Sequence, residues 1–488
     1  MIKKLLFAFN LLVFFSSFGT AQTWSPLGDG VGPDPAYPDV MYNDTLTGKL
    51  YVGGDFKKAG GKLVYAIATW DGENWDSVGC GMARSNPLSD SDSLPQHWGT
   101  CGHMPAITRY KGFIYEGGGM CWAGKRNFNT QGIAKFDGKN WGYAGNALST
   151  SKHDTINPPN GGGEVSNFLI DRDTLYGFGY FDTIGGKHIR CIGKYDGQNW
   201  YPVMNANFDI QSGLAQIGTS IFYKGQLYFG GNFGFGTTDF SKDDIARWDG
   251  KQLLGLGKGL SSSLTSVSAL IIYKGELYVG GIFFKKFGDP GDCIAKWDGE
   301  KWSEVGGGVN SSVESFAILN DELYVGGHFT SAGGLPNTQS IAKWNGEKWS
   351  ALPSTDSIEL GGVIALAVYK GDLIVSKAYS INGKPCNAVA KYHPPAVNSI
   401  QSFGVSSINL SLFPNPSKES STLVYDLGKT TEGTITISDL LGKEVQSFSV
   451  HGSSEIKLNI EKFESGIYFL TLKVPVSGDK TIKWVITQ

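Results

Sequence analysis

His103, Tyr180 and Arg190 are of the types needed to take a proton from a carbon beside a uronate carboxylate. A histidine or tyrosine abstracts the proton while a guanidinium neutralises the carboxylate. Asp39, His97, Trp98, Glu116, Trp122, Glu164, His188 and His328 add carboxylates, imidazoles and rings suited to hydrogen bonding and stacking on a sugar. Read without catalysis, the same groups make an aromatic and basic binding surface. Both readings stay open, so the sequence leaves undecided whether the protein is an enzyme. Metal and cofactor chemistry have less support: there is no two-histidine helix motif, Cys-x-x-Cys, calcium loop, Gly-x-Ser-x-Gly elbow or phosphate loop. Asp90 and Asp92 lie in a Ser/Asp run that reads as a solvated loop. The expectation is no metal and no cofactor.

Whatever positions these side chains is repetitive. One phrase, clearest as Leu323-Tyr-Val-Gly-Gly-His-Phe329, begins at Leu50, Ile114, Leu175, Leu227, Leu277, Leu323 and Leu373, with spacings of 64, 61, 52, 50, 46 and 50 residues. A second phrase, Ile341-Ala-Lys-Trp-Asn-Gly-Glu-Lys-Trp349 in its clearest copy, follows in register. Alternation and turn chemistry divide each unit into four strands, with a Lys-Gly turn after the first and Asp-Gly or Asn-Gly after the third. Such periods suit propeller blades better than helical solenoids. The outer-strand signal at Trp24 precedes the first inner strand and none follows Tyr392, so both termini must share one sheet. Trp24 then belongs to a clasp that closes the array and removes its exposed edges.

The double glycine with a downstream aromatic and a tryptophan, as in Gly326-Gly327, Trp344 and Trp349, resembles the kelch and galactose-oxidase-like propellers, with the wording of a cortical-marker-like repeat group. The resemblance implies an all-β chain with a seven-bladed β-propeller over residues 22–395. It does not imply an activity, because such propellers serve as enzymes, lectins and adaptors. Long insertions at 81–102, 145–163 and 201–214 separate outer from inner strands and share a face with the loops after the double glycine. Five of the seven histidines, His97, His103, His153, His188 and His328, fall there too. Aligning the inner strands places Asp39, His103, Glu164, Gln216, Ser266, Ser312 and Gly362 around the channel mouth. The expected pocket is offset toward blades 1 to 3.

Lys3 and Lys4, an apolar stretch from Leu5 to Phe15, and Gly19-Thr20-Ala21 read as a signal peptide over residues 1–21. No long apolar run follows, so no membrane span is expected in the mature chain. A net charge of −3 with scattered Lys and Arg argues against nucleic acid. After a linker at 396–409, residues 410–488 hold four or five alternating segments that suggest a small Ig-like β-sandwich. Phe413-Pro-Asn-Pro-Ser417, Ile437-Ser-Asp-Leu-Leu-Gly-Lys443, Ser465-Gly-Ile-Tyr-Phe469 and Lys483-Trp-Val-Ile486 resemble the type A C-terminal sorting domain of the type IX secretion system. That resemblance implies handling by the type IX machinery and a secreted or outer-surface protein.

Six cysteines are few for a chain of 488 residues. Cys80 and Cys101 bracket an insertion, and a bridge there would pin it. Cys191 and Cys293, each just before the isoleucine of a third strand, read as small core residues. The functional expectation is a propeller that binds an extracellular glycan or protein through its insertion-bearing face. One alternative is a lyase-like enzyme on acidic polysaccharide. A further alternative is a structural or adhesive surface protein.

Overall fold

The structure, a computed structural model, describes residues 23–32, 36–83, 104–119, 122–123, 128–129, 132–145, 163–204, 216–234, 242–260, 266–284, 292–354, 356–394, 409–413, 415, 417, 420–427, 432–439, 443–474 and 478–486. It divides at Pro395 into two compact units. Among the described residues the first unit contains seven antiparallel sheets in chain order, besides three small ribbons. Their inner strands are Tyr37–Asp44, Ala106–Tyr110, Glu164–Asp171, Gln216–Tyr223, Ser266–Tyr273, Val313–Leu319 and Leu366–Tyr369, and their sheets are numbered 1 to 7 in that order. Each inner strand lies beside the next, and the seventh lies beside the first. Trp24–Pro26 supplies the outer strand of sheet 7, with Trp24 opposite Tyr392, as its place in the repeat requires.

The cores sit between sheets rather than within one centre. Leu50 and Val52 of sheet 1 pack with Tyr369 and Ile374 of sheet 7. Tyr51, pointing the opposite way from the same strand, packs with Met104 and Ile107 of sheet 2. Similar clusters fill the other five junctions. A strand buried on both faces reads as an unbroken apolar run, which explains the Leu-Tyr-Val wording.

The double glycine has two separate causes. A Cβ on Gly280 would sit 2.4 Å from Val313 of the next sheet, so the first glycine admits the neighbouring valine. A Cβ on Gly281 would sit 2.0 Å from the carbonyl oxygen of Ser266 in its own sheet. The second glycine therefore permits a close backbone approach where the inner strand bulges. The residue before six of the third strands is left-handed, Ala66, Gly132, Cys191, Asp244, Cys293 and Ser340, and so is Ala388 at the equivalent place within Lys384–Tyr392. Cys191 and Cys293 are buried at this backbone position, so they are small residues of the core, as expected.

Polar atoms of the repeat also bind sheet to sheet. The indole N–H groups of Trp75, Trp200 and Trp349 donate to Leu27, Ala144 and Val305 carbonyls of the preceding repeat, at 2.8, 2.8 and 2.9 Å. In the Tyr-Lys-Gly turns of sheets 2, 5 and 7, Lys111, Lys274 and Lys370 donate to Asp196, Asn345 and Asp71 carbonyls in the next sheet's hairpin. That hairpin depends on more than its glycine. Gly299 has φ +108°, and the Asp298 carboxylate accepts from the backbone N–H groups of Glu300 and Lys301 at 2.8 and 2.9 Å. These bonds hold the Asp298 carboxyl below the ordinary range.

In the second unit, Asn409–Phe413, Ser420–Asp426 and Ser453–Asn459 form one sheet, and Glu432–Ser438, Glu444–His451, Gly466–Val474 and Gly478–Ile486 form another. One buried core takes residues from both. Seven strands replace the four or five expected. Glu444–His451 was unreadable because its side chains are almost all exposed and give no apolar alternation. The Phe-Pro-Asn-Pro-Ser segment docks on the final strand: Asn415 Nδ2 donates to Lys483 O at 2.6 Å, Val485 N donates to Asn415 Oδ1 at 2.8 Å, and Trp484 Nε1 donates to Ser417 Oγ at 2.6 Å. Two motifs nearly seventy residues apart in sequence are thus one contact.

Candidate functional site

Register shifts occur after Pro38, Val165, Ile217, Val267 and Val313, leaving Asp39, Ser166, Gly218, Ser268 and Glu314 as extra residues on the inner strands. A bulge turns its extra residue out of the pleat. All five line one cavity of about 420 Å³, together with Pro105 of sheet 2 and Ile364 of sheet 7, so every sheet contributes. The glycine that admits each of these bulges is repeated, as Gly54, Gly179, Gly231, Gly281 and Gly327, but the lining position is Asp, Pro, Ser, Gly, Ser, Glu or Ile in turn. Fold requirements explain the first and not the second.

The residues of the expected ring fall at different places. Gln216 and Ser266 line the cavity. Asp39 does too, but as a bulge residue, because Tyr37 opposite Asp55 occupies the register that Glu164 opposite Tyr180 holds in sheet 3. In sheets 3, 4 and 5 the bulge also presents the residue two places further in, which repeat spacing alone does not reveal. The described lining also draws more on sheets 3 to 5, through Asn167, Thr219, Asn232 and Ser268, than on sheets 1 and 2. Glu164 joins this network: its Oε1 accepts from Ser166 Oγ at 2.8 Å and Gln216 Nε2 at 3.2 Å. Two carboxylates and no basic side chain line the cavity among the described residues. Hydroxyls, amides and carboxylates without a cation suit a hydroxyl-bearing ligand and repel a uronate.

Other expected residues lie elsewhere. Arg190 Nε donates to Asp182 Oδ1 at 2.9 Å, so its charge is matched within sheet 3. His188 is exposed in a short ribbon opposite Thr183. His328 is exposed, its ring against Gly362, where a Cβ would come within 2.3 Å of Nδ1. Trp122 stands opposite Ala83 and Asn129 in a small three-stranded sheet. His97, Trp98, Cys101, His103 and His153 lie outside the described residues, as do residues 1–21, whereas Cys80 is exposed.

Glu116 is 1% exposed and shares a strand face with Ile114, which packs in the junction of sheets 1 and 2. Burial first, then the Glu164 charge, pushes its carboxyl up to about 8. It is thus a neutral acid of the interior and not a group on the cavity wall. The folded state keeps this proton to about pH 8, while the unfolded chain releases it near 4.5. The contribution is therefore full below 4.5 and declines as pH rises toward 8. Glu116→Gln, neutral throughout, should be more stable than the parent at pH 7 by roughly 3 kcal/mol and lose the advantage near pH 4.5. Urea titrations at both pH values measure this; identical behaviour of the two proteins at pH 7 would refute a buried protonated Glu116.

Residues 411–487 match the family model of the secretion system C-terminal sorting domain. The protein is secreted or attached at the outer surface, and its C-terminal domain implies interaction with the type IX secretion machinery. No curated protein matches the chain. Among solved structures, the extracellular domain of a hybrid two-component system from B. thetaiotaomicron is similar over 93% of this chain and 68% of its own, at 10% identity and a TM-score of 0.32. The acylaminoacyl peptidase of Pyrococcus horikoshii is similar over 80% of this chain and 57% of its own, at 12% identity and a TM-score of 0.32. Dimeric latent PorU from Porphyromonas gingivalis is similar over 79% and 32%, at 11% identity and a TM-score of 0.17. Among the described residues no helix is long and apolar enough to cross a membrane.

Proposed function

We propose that the seven sheets are the blades of a kelch-like β-propeller over residues 22–395, exported behind a signal peptide at 1–21 and joined by a linker at 396–409 to the sorting domain. This propeller binds an extracellular ligand through the face that carries the insertions, and the bulge-lined cavity is the site. A neutral, hydroxyl-rich glycan is the preferred ligand class. The observation that carries this reading is the bulge ring: five backbone irregularities present Asp39, Ser166, Gly218, Ser268 and Glu314 to one cavity, and these side chains have no shared role in the repeat. The lyase alternative loses support where Arg190 is paired with Asp182 and the cavity carries carboxylates.

Native electrophoresis through gels containing neutral or acidic polysaccharides tests the proposal. Retardation in a neutral gel is expected, and Asn232→Ala with Ser268→Ala should weaken it about tenfold, the loss of one or two hydrogen bonds. Melting should barely change in this variant. Equal retardation of parent and variant would move the site off this cavity, and cleared zones would establish depolymerisation.

A further inference from the structure

A larger cavity, about 640 Å³, opens where sheet 6 meets sheet 7, apart from the bulge ring. Trp24 of the closing strand, Asn337, Gln339 and Ile341 of sheet 6, and the described residues of 351–354 and 356–360 line it. Its floor is apolar where Ile341, Leu352, Ile358 and Leu360 meet, packed into the junction core. Above that floor stand the exposed amides of Asn337 and Gln339, which make no side-chain hydrogen bond among the described residues. The carboxylates of the wall are occupied. Asp356 accepts from Thr23 N at 2.8 Å, Trp24 N at 2.9 Å, Thr23 Oγ1 at 3.2 Å and Asn382 Nδ2 at 3.0 Å. Glu359 accepts from Ser380 Oγ at 3.1 Å.

We propose that this cavity is a second ligand site, for a neutral oligosaccharide, and that its occupant fastens the strand closing the sheet array. An amide offers one acceptor and two donors, which matches the paired hydroxyls of a sugar, while a pyranose lays its C–H face on an apolar floor. No Lys, Arg or His lines the cavity among the described residues, so an anionic sugar finds no counter-charge there. Asp356 already has four donors, which removes it as a ligand for a cation. Because the wall combines Trp24 with sheets 6 and 7, a ligand bound here touches both ends of the closure.

The experiment is isothermal titration of the purified protein with cellotetraose, xylotetraose, mannotetraose and maltotetraose. The site variant is Asn337→Gly with Gln339→Ala; glycine is chosen because Asn337 has φ +57°. Every titration is repeated in the Asn232→Ala, Ser268→Ala background, so that the bulge-lined cavity, the glycan site proposed above, adds little to the signal. Binding of at least one tetrasaccharide in this background, weakened about tenfold or more when the site variant is added, is the expected result. Binding in this background that the site variant leaves unchanged, or binding of none of the four by the parent, would overturn the second site. Binding by the parent that is lost already in this background would overturn it while leaving the proposed function intact.

Discussion

Removal of residues 409–488 should abolish appearance of the protein in the medium and at the outer surface, leaving it in the cell fraction. The second unit has its own core and carries the sorting-domain match, so its loss removes the export signal without touching a sheet of the first unit. A single substitution should approach the same result. Trp484 is fully buried, its ring 4.9 Å from Phe463 and 6.0 Å from Tyr468 between centroids, with its N–H on Ser417. Trp484→Ala should cost about 3–5 kcal/mol, comparable to the whole stability of a domain this size. Immunoblots of medium, surface and cell fractions measure both. Undiminished export of the deletion would contradict the assignment.

Trp24→Ala should lower the unfolding free energy of the first unit by about 3–5 kcal/mol, the range for emptying a buried tryptophan site. Trp24 is 1% exposed and its ring lies 4.9 Å from that of Tyr392, tilted by 48°. The strand it anchors is only Trp24–Pro26, so few other contacts compensate. Asp356 adds the Thr23 and Trp24 amide bonds, and His393 N donates to Thr23 O at 2.8 Å. Loss of the ring leaves these bonds exposed to water and the outer edge of sheet 7 unpaired. Urea titration and limited proteolysis should show the variant opening first at its N-terminus. A variant within about 1 kcal/mol of the parent would mean that closure does not depend on this clasp.

Much of the strand pattern was readable because its causes are local. Alternation with a period of two, the left-handed glycine after Asp298 and the Tyr-Lys-Gly turns depend on residues that are neighbours in sequence. The seventh sheet was readable too, since an outer-strand signal stands at Trp24 and none follows Tyr392, and the two residues do lie opposite each other. Glu116 was visible as an anomaly, a charged residue in an apolar phrase. Its protonation was not, because that depends on burial between sheets and on Glu164, forty-eight residues away.

The sequence by itself determined the sheet count and strand order of the first unit, the clasp and the sorting motifs, because steric and turn preferences act over a few residues and, in the first unit, were repeated. Only the tertiary structure decided the sites. The shift of Asp39 from an aligned position to a bulge, the pairing of Arg190 with Asp182, the docking of Asn415 on the last strand and the cavity beside Trp24 all follow from packing. Each joins side chains whose meeting depends on how strands bend and close, and no local preference encodes that.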